Sequence, residues 1–287
     1  MIRIALPSRG RLAEGARELL ERAGLEPEDR GDRALQAALG SNFVALFARA
    51  RDIPEFVADG AADLGITGRD LVVESGRSLE EVLDLGFGRC RLVLAARADS
   101  GIASVEQVTP GLRVATVFPR LTACFFREAD RDVTIVPVSG STEIAPHLGV
   151  AELIVDLVST GSTLKTNGLR EVATLLESAA VLIARPGLGD CAESVDLLRE
   201  FITALESVVR ARDHRYLMAN VPRAALPQLA RVLPGLSGPT ITAVLNGGTY
   251  VAAHAVVDRR EVYRTIANLK QLGATGILVT PIERLMP

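Results

Sequence analysis

Short apolar runs alternate with amphipathic ones along the first two thirds of the chain, and the alternation starts afresh near residue 88. "IRIAL" reads as a strand, "PSRG" breaks it, and "LAEGARELLERAG" carries apolar residues at helical spacing up to Gly24. "FVALFA" and "ADLGIT" are strand-like. "DIPEFVADG" is a short helix with Asp52 as cap and Pro54 in its first turn, and "GRDLVVESG" is another. In the second series "RCRLVLAAR", "LRVATVF", "VTIVPV", "ELIVDLV" and "AAVLIAR" read as strands, and "ESVDLLREFITALESVVRARD" as a long amphipathic helix. Such alternation predicts an α/β fold with a mostly parallel sheet. A restart predicts two lobes, with a crossing near 88–97 and a return near 176–185. A cleft between lobes is a usual place for a small molecule.

From residue 212 the rhythm changes to strand, helix, two strands around "NGG", helix, strand. The order βαββαβ is ferredoxin-like, and "NGG" is a hairpin signal. The expected domains are residues 1–90 plus 176–211, residues 91–175, and residues 212–287.

With 287 residues the chain is long enough for two or three domains with their own cores. A net charge of −3 gives no footprint for bulk nucleic-acid binding, so an anionic ligand must find a local positive site. Lys165 and Lys270 are the only lysines, leaving arginine to supply that site. Cys90, Cys124 and Cys191 are far apart in sequence, which argues against a disulfide framework or a zinc site and fits a reducing cytoplasm. The start "MIRIALPSRGRL" does not read as a signal peptide, and no apolar run reaches the roughly 18 residues of a membrane span.

The stretch "ELIVDLVSTGSTL" places Asp156 inside an apolar strand and follows it with Ser159, Thr160, Gly161, Ser162 and Thr163. Glycine lets backbone approach a ligand, and free amides with hydroxyls at a helix start suit an anion. The Walker spacing is absent, so this is a phosphate cradle of another kind. A carboxylate beside it would repel a bare phosphate but could accept hydrogen bonds from sugar hydroxyls or face a metal. The bland alternative is a helix cap, with Ser159 or Thr160 capping and Asp156 paired structurally.

This loop resembles the phosphoribosyl-diphosphate loops of phosphoribosyltransferases. The longer line "EIAPHLGVAELIVDLVSTGSTL" resembles the signature of the ATP phosphoribosyltransferase family, with Glu143, Gly149, Ala151, Asp156, Thr160-Gly161-Ser162-Thr163 and Leu164 at its fixed positions. "ALPSRGRL" is similar to that family's opening, although Arg9 stands where many members carry lysine. "RARDIPEFVADGAADLGITGRDLV" and "VATVFPRL" match two further family segments, and the βαββαβ tail resembles the regulatory domain of the long form.

The resemblance implies a two-lobed, periplasmic-binding-protein-like (type II) catalytic core followed by an ACT-like regulatory domain. It implies transfer of the phosphoribosyl group of phosphoribosyl diphosphate to N1 of ATP, with Mg2+ as cofactor, and inhibition by histidine. A homo-oligomer, dimer or hexamer, is expected. No protein nucleophile is needed, so binding residues are expected rather than a triad. By this reading Glu143, Asp156, Ser159, Thr160, Gly161, Ser162 and Thr163 hold phosphoribosyl diphosphate, with Asp156 on the ribose or on metal-bound water. Arg9, Arg11 and Arg49 contact ATP or diphosphate from the opposite lobe, Asp70 contacts the adenine nucleotide at a helix start, and Thr240, with the segment 274–280, is where histidine is expected. Competing readings are a two-lobed solute-binding protein and a catalytically silent regulatory subunit.

Overall fold

The apolar run Ile2–Pro7 is buried at every position but Arg3, the pattern of a strand covered on both faces. It is β1, at the heart of the first sheet in a computed structural model that describes residues 1–28, 34–188, 192–245 and 248–286. Cys191 and the Asn246-Gly247 pair of the expected hairpin lie outside the described residues. The chain divides into two compact units, residues 1–18 with 25–199, and residues 19–24 with 200–287.

In the first unit, β1 is followed by α1 (Ala13–Arg22, which runs on into the second unit), β2 (Gln36–Leu39), β3 (Phe43–Ala48), α2 (Ile53–Ala58), β4 (Leu64–Gly68), α3 (Arg69–Ser75) and β5 (Glu80–Asp84). The second series comprises β6 (Cys90–Arg97), β7 (Leu112–Thr116), α4 (Pro119–Glu128), β8 (Val133–Pro137), β9 (Leu153–Val158), α5 (Ser162–Thr166) and β10 (Leu169–Ser178). Then come β11 (Ala180–Ala184) and α6 (Ala192–Arg212), which also continues into the second unit.

Among the described residues these strands form two sheets, β2-β3-β1-β4-β11-β5 and β10-β6-β9-β7-β8. The expected mostly parallel sheet is therefore a mixed one. β3, β1 and β4 run parallel, as do β8, β7 and β9, but β11 enters the first sheet antiparallel to β4, and β6 enters the second antiparallel to β9. Both inserted strands are the segments that cross between lobes, so each arrives from the opposite direction. This order, with an antiparallel strand beside the third parallel one in each lobe, is the type II periplasmic-binding-protein-like arrangement.

Three strands were absent from the sequence reading. β2 is four residues of "QAAL", and β5, "EEVLD", is exposed or half-buried throughout, so neither carries a buried apolar run. β10 is a sheet-edge strand whose pairing with β6 shifts register twice, which breaks the period-2 pattern. Asp52 does sit at the N-cap of α2, but its side chain makes no capping bond; Pro54 fills the first turn as expected.

The two lobes of this unit touch through α3 and α4. The Glu74 carboxylate accepts the backbone N–H groups of Arg120 (3.0 Å) and Leu121 (2.8 Å), satisfying donors at the start of α4, whose own N-cap Phe118 offers none. Leu71 of α3 packs on the core of the second sheet.

The second unit contains β12 (His214–Pro222), α7 (Leu226–Val232), β13 (Thr240–Ala243), β14 (Tyr250–Asp258), α8 (Val262–Gln271) and β15 (Thr275–Pro281). Its sheet order, β13-β14-β12-β15, all antiparallel, is ferredoxin-like. Alternate residues Leu217, Ala219, Val221 and Val251, Ala253, Ala255, Val257 face one core with Leu229 and Leu269 of the two helices.

Gly65 lets α2 lie directly on β4. A Cβ there would stand 2.5 Å from Ile53 Cγ2 and 2.9 Å from Val57 Cγ2. Gly65→Ala is expected to destabilise the first unit by about 1–3 kcal/mol through overpacking, read as a lower urea midpoint at unchanged m-value.

Candidate functional site

β9 explains why a charge can sit in an apolar strand. Leu153, Ile154 and Val155 are buried between two core clusters, and Asp156 is half-buried near the end of the strand, between Val155 and the next core residue, Val158. Its carboxylate is half-buried but not bare: the Thr142 hydroxyl donates to Oδ2 at 2.6 Å and the Leu157 N–H to Oδ1 at 2.7 Å. Burial pushes the Asp156 carboxyl above its ordinary pKa, those two hydrogen bonds pull it back, and the charge of Glu143 raises it further.

The loop after β9 turns on Gly161, at φ +77°, which is the N-cap of α5 and a left-handed position that favours glycine. Neither Ser159 nor Thr160 is that cap; instead the Thr160 and Ser162 hydroxyls lie 2.9 Å apart, and Ser159, Thr160, Ser162 and Thr163 are exposed. The first helical bond of α5 runs from Lys165 N–H to Gly161 O at 3.3 Å, so the amides of Ser162, Thr163 and Leu164 precede it and have no acceptor within the helix. Glu143, Asp156, Ser159, Thr160, Gly161, Thr163 and Leu164 line a cavity of about 170 Å³, and Ser162 is not among its lining residues.

The residues upstream are positioned by backbone. Ser141, at φ +51°, is one of two described non-glycine residues in the left-handed region, and it starts the 3-10 turn Thr142–Ile144 that aims Thr142 and Glu143 at Asp156. Such a conformation costs energy and is held by its surroundings. Gly149 closes the following turn at φ +67°, and Ala151 is buried in the core beneath the loop. His147, whose Nε2 lies 2.9 Å from Asn167 O, ties this turn to the end of α5.

The other expected positions gather at the carboxyl ends of the parallel strands of the first sheet: Arg9 and Arg11 after β1, Arg49 after β3, Asp70 at the start of α3 after β4. That edge is where α/β sheets bind ligands. Arg9 and Arg49 are exposed and have no acidic partner among the described residues. Arg11 is engaged: Nη1 donates to Gly88 O at 2.6 Å, and Nη2 lies 3.3 and 3.4 Å from the two Asp70 oxygens. Asp70 is fully buried, takes a 2.5 Å hydrogen bond from the Ser178 hydroxyl, and returns its own N–H to Ser178 Oγ at 3.0 Å. The Cys90 thiol beside them is pushed up by burial. Thr142, Ser178, Gly88 and Glu74 were missed by sequence reasoning, because each acts by touching a residue far away in the chain.

In the second unit Thr240 is exposed at the start of β13, opposite His254, which is bonded to the Tyr216 hydroxyl. Thr240 and residues 275–280 occupy opposite edge strands, three strand spacings or roughly 14 Å apart. The fold therefore does not bring these two expected effector positions together.

No group of three or more His, Cys, Asp or Glu side chains among the described residues forms a metal cage. Glu143 and Asp156 do share one cavity, and two carboxylates suit a magnesium ion that keeps most of its waters and takes the rest of its oxygens from a substrate's phosphates. Among the described residues no helix is long and apolar enough to cross a membrane.

A family model described as ATP phosphoribosyltransferase matches residues 49–207, and one described as the HisG C-terminal domain matches residues 211–284. The chain is 58% identical over 293 residues to an ATP phosphoribosyltransferase of Gemmatimonas aurantiaca, covering all of both chains. It is 50% identical to one of Haloarcula marismortui, covering 99% of this chain and all of the relative. Among solved structures, a chain of the ATP phosphoribosyl transferase (HisG:HisZ) complex from Thermotoga maritima superposes with a TM-score of 0.64 at 28% identity, covering 73% of this chain and 99% of that one.

Because the folded pKa of Asp156 is raised, its ionisation opposes folding. That cost is fully present above the raised value and disappears below the unfolded value near 3.8. An amide can keep both hydrogen bonds if the Thr142 hydroxyl reverses its role. Asp156→Asn is thus expected to melt no lower than the native chain at about pH 8, with any gain shrinking as pH falls toward 4. A calorimetric pH series showing a clear loss at pH 8 would show that the ionised carboxylate stabilises the fold, contrary to a raised pKa.

Proposed function

The chain belongs to the ATP phosphoribosyltransferase family, and from that premise we propose how its residues divide the reaction. The enzyme transfers the 5-phosphoribosyl group of phosphoribosyl diphosphate to N1 of ATP, the first step of histidine biosynthesis. The adenine N1 lone pair forms a bond to ribose C1, the C1–O bond to diphosphate breaks, and its electron pair leaves with the diphosphate. A proton is lost from the adenine amino group. The charge that develops lies on the leaving group and on the ribose carbon, so positioning and electrostatic stabilisation carry the catalysis.

The observation that carries the assignment is the shared cavity of Asp156, Glu143 and the Gly161 turn. The loop Ser159–Thr163 takes the 5-phosphate with amides and hydroxyls. Asp156, held by Thr142 and Leu157, accepts hydrogen bonds from the ribose hydroxyls, and Glu143 orients the ribose or metal-bound water. Mg2+ held by these carboxylates through water would neutralise the departing diphosphate. Arg9, Arg11 and Arg49 receive ATP or diphosphate from the lobe formed by residues 1–90 and 176–211, facing the lobe formed by residues 91–175. Asp70, buried beneath Arg11, serves this contact from behind.

Residues 212–287 form the regulatory domain, with histidine as its effector and Thr240 among its contacts. Since the two expected contact regions lie on opposite sheet edges, one region suffices for binding or the other comes from a second copy in a homo-oligomer. A cytoplasmic enzyme of this kind binds neither nucleic acid nor membrane.

Asp156→Ala tests the central assignment. With ATP, phosphoribosyl diphosphate and Mg2+, followed by absorbance of the N1-substituted adenine, kcat/KM for phosphoribosyl diphosphate is expected to fall by about a hundredfold or more, the scale of two hydrogen bonds to a charged acceptor. Native activity and native affinity would remove Asp156 from the ribose. Chelation with EDTA is expected to abolish turnover, with Mg2+ restoring it. Thr240→Ala is expected to raise the histidine concentration needed for half-inhibition while leaving uninhibited turnover unchanged.

A further inference from the structure

The segment from Asp156 to Leu164 contains no cation, yet its site gathers negative charge. Asp156 and Glu143 share the cavity, and Glu171 stands beside the turn, with Oε1 3.4 Å from where a Cβ on Gly161 would be. A phosphorylated ligand would add at least one more negative charge. Lys165 is exposed in α5, one residue beyond this segment.

A cation is built in beside the turn: Arg91, which pairs with Glu171. Arg91 is the second residue of β6 and pairs in register with Val158, the residue before Ser159. Its guanidinium forms a two-pronged ion pair with Glu171, Nη1 to Oε2 at 2.8 Å and Nη2 to Oε1 at 2.9 Å, and Nη1 also reaches the Thr174 hydroxyl at 3.2 Å. Those three bonds use three of the five N–H donors of a guanidinium and leave two for a ligand. Arg91 and Glu171 are each more than a third exposed, so the pair contributes little to stability and is within reach of solutes.

Resting on the reading of the loop as the phosphoribosyl-diphosphate site, we propose that Arg91 completes that site as its anion-binding cation, with Glu171 as the positioning residue that fixes the guanidinium beside Gly161. A guanidinium suits the task because its flat fork can bind a carboxylate on one side and phosphate oxygens on another. Glu171 fixes its orientation before substrate arrives, which reduces the ordering that binding must supply. The anion is either the 5-phosphate or the diphosphate of the donor, both of which offer phosphate oxygens to the same fork.

Arg91→Gln, Arg91→Lys, Glu171→Gln and Asp156→Ala are compared in the full-length enzyme. Arg91→Gln is expected to raise both the KM and the calorimetric Kd for phosphoribosyl diphosphate about tenfold or more, with the KM for ATP within about twofold and the melting temperature close to native. Arg91→Lys, which keeps the charge but not the fork, is expected to recover part of the loss. Glu171→Gln is expected to raise the KM for phosphoribosyl diphosphate by a smaller factor with kcat retained. Titration of Arg91→Gln with ribose 5-phosphate and with inorganic diphosphate identifies the anion, since only the one that meets Arg91 loses affinity. Native affinity for phosphoribosyl diphosphate in Arg91→Gln, alongside weakened affinity in Asp156→Ala, overturns the role of Arg91 alone. Native affinity in both variants overturns the reading of the loop itself. A lowered melting temperature with both substrates' KM values raised equally would make the pair structural and also overturns the proposal.

Discussion

Asp70 is a carboxylate with no exposed surface, and a buried charge must be answered by partners or the fold pays heavily for it. Its partners come from distant parts of the first unit. Ser178 ends β10, where the chain returns from the second lobe to the first, and Arg11 follows β1. Arg11 in turn holds Gly88 O, two residues before the strand that crosses the other way. One charge network therefore fastens both passages between the lobes to the start of α3. Cys90 and Ser178 face each other in the β6–β10 register, so this is also where the two crossing strands meet.

The crossings do more than connect. β6 and β11 each run antiparallel to the strand they join, β9 and β4. This leaves the parallel strands free to end together, and their carboxyl ends carry the side chains proposed to meet substrate: Arg9, Arg11, Arg49 and Asp70 on one lobe, Asp156 near the end of β9 and the Gly161 turn on the other. Helix α3 links the two edges, since Asp70 stands at its start, Leu71 packs on the second lobe's core, and Glu74 satisfies the first amides of α4. Asp70 thus lies within about one helical turn of Leu71 and Glu74, the α3 contacts that relate the lobes.

Much of this was legible in the sequence, and the exceptions have physical reasons. Strands with dense apolar runs, such as Ile2–Pro7 and Leu153–Val158, and helices with capped or proline-marked starts stand out locally. The edge strands β2, β5 and β10 do not, because one side of each lacks a core to demand apolar residues, and β10 is bulged as well. Strand direction was misjudged because alternation of elements says nothing about which strand crosses to another lobe. At the site, Glu143, Gly149, Asp156 and Gly161 could be picked out by their motif. Thr142, Ser178 and the Arg91–Glu171 pair could not: a threonine beside a glutamate, or an arginine at a strand start, is unremarkable until the fold sets it against its partner.

The carboxylate inside β9 follows from the same balance of charge and burial. Were Asp156 exposed, water would solvate it and its orientation would be loose; were it fully buried, desolvation would favour the neutral acid, which cannot offer the charged acceptor that the proposed ribose contact calls for. Half-burial with one hydroxyl and one amide donor lies between these limits. The charge of Glu143 adds a smaller push toward protonation, which a positive group in the shared cavity would offset. A hydrated divalent ion or a guanidinium is such a group, and either would also lower the repulsion between two carboxylates and an incoming phosphate. The acid that at first looks misplaced in an apolar strand is thus, with Glu143, one of two negative charges in a cavity whose own loop, Asp156 to Leu164, carries no cation to offset them.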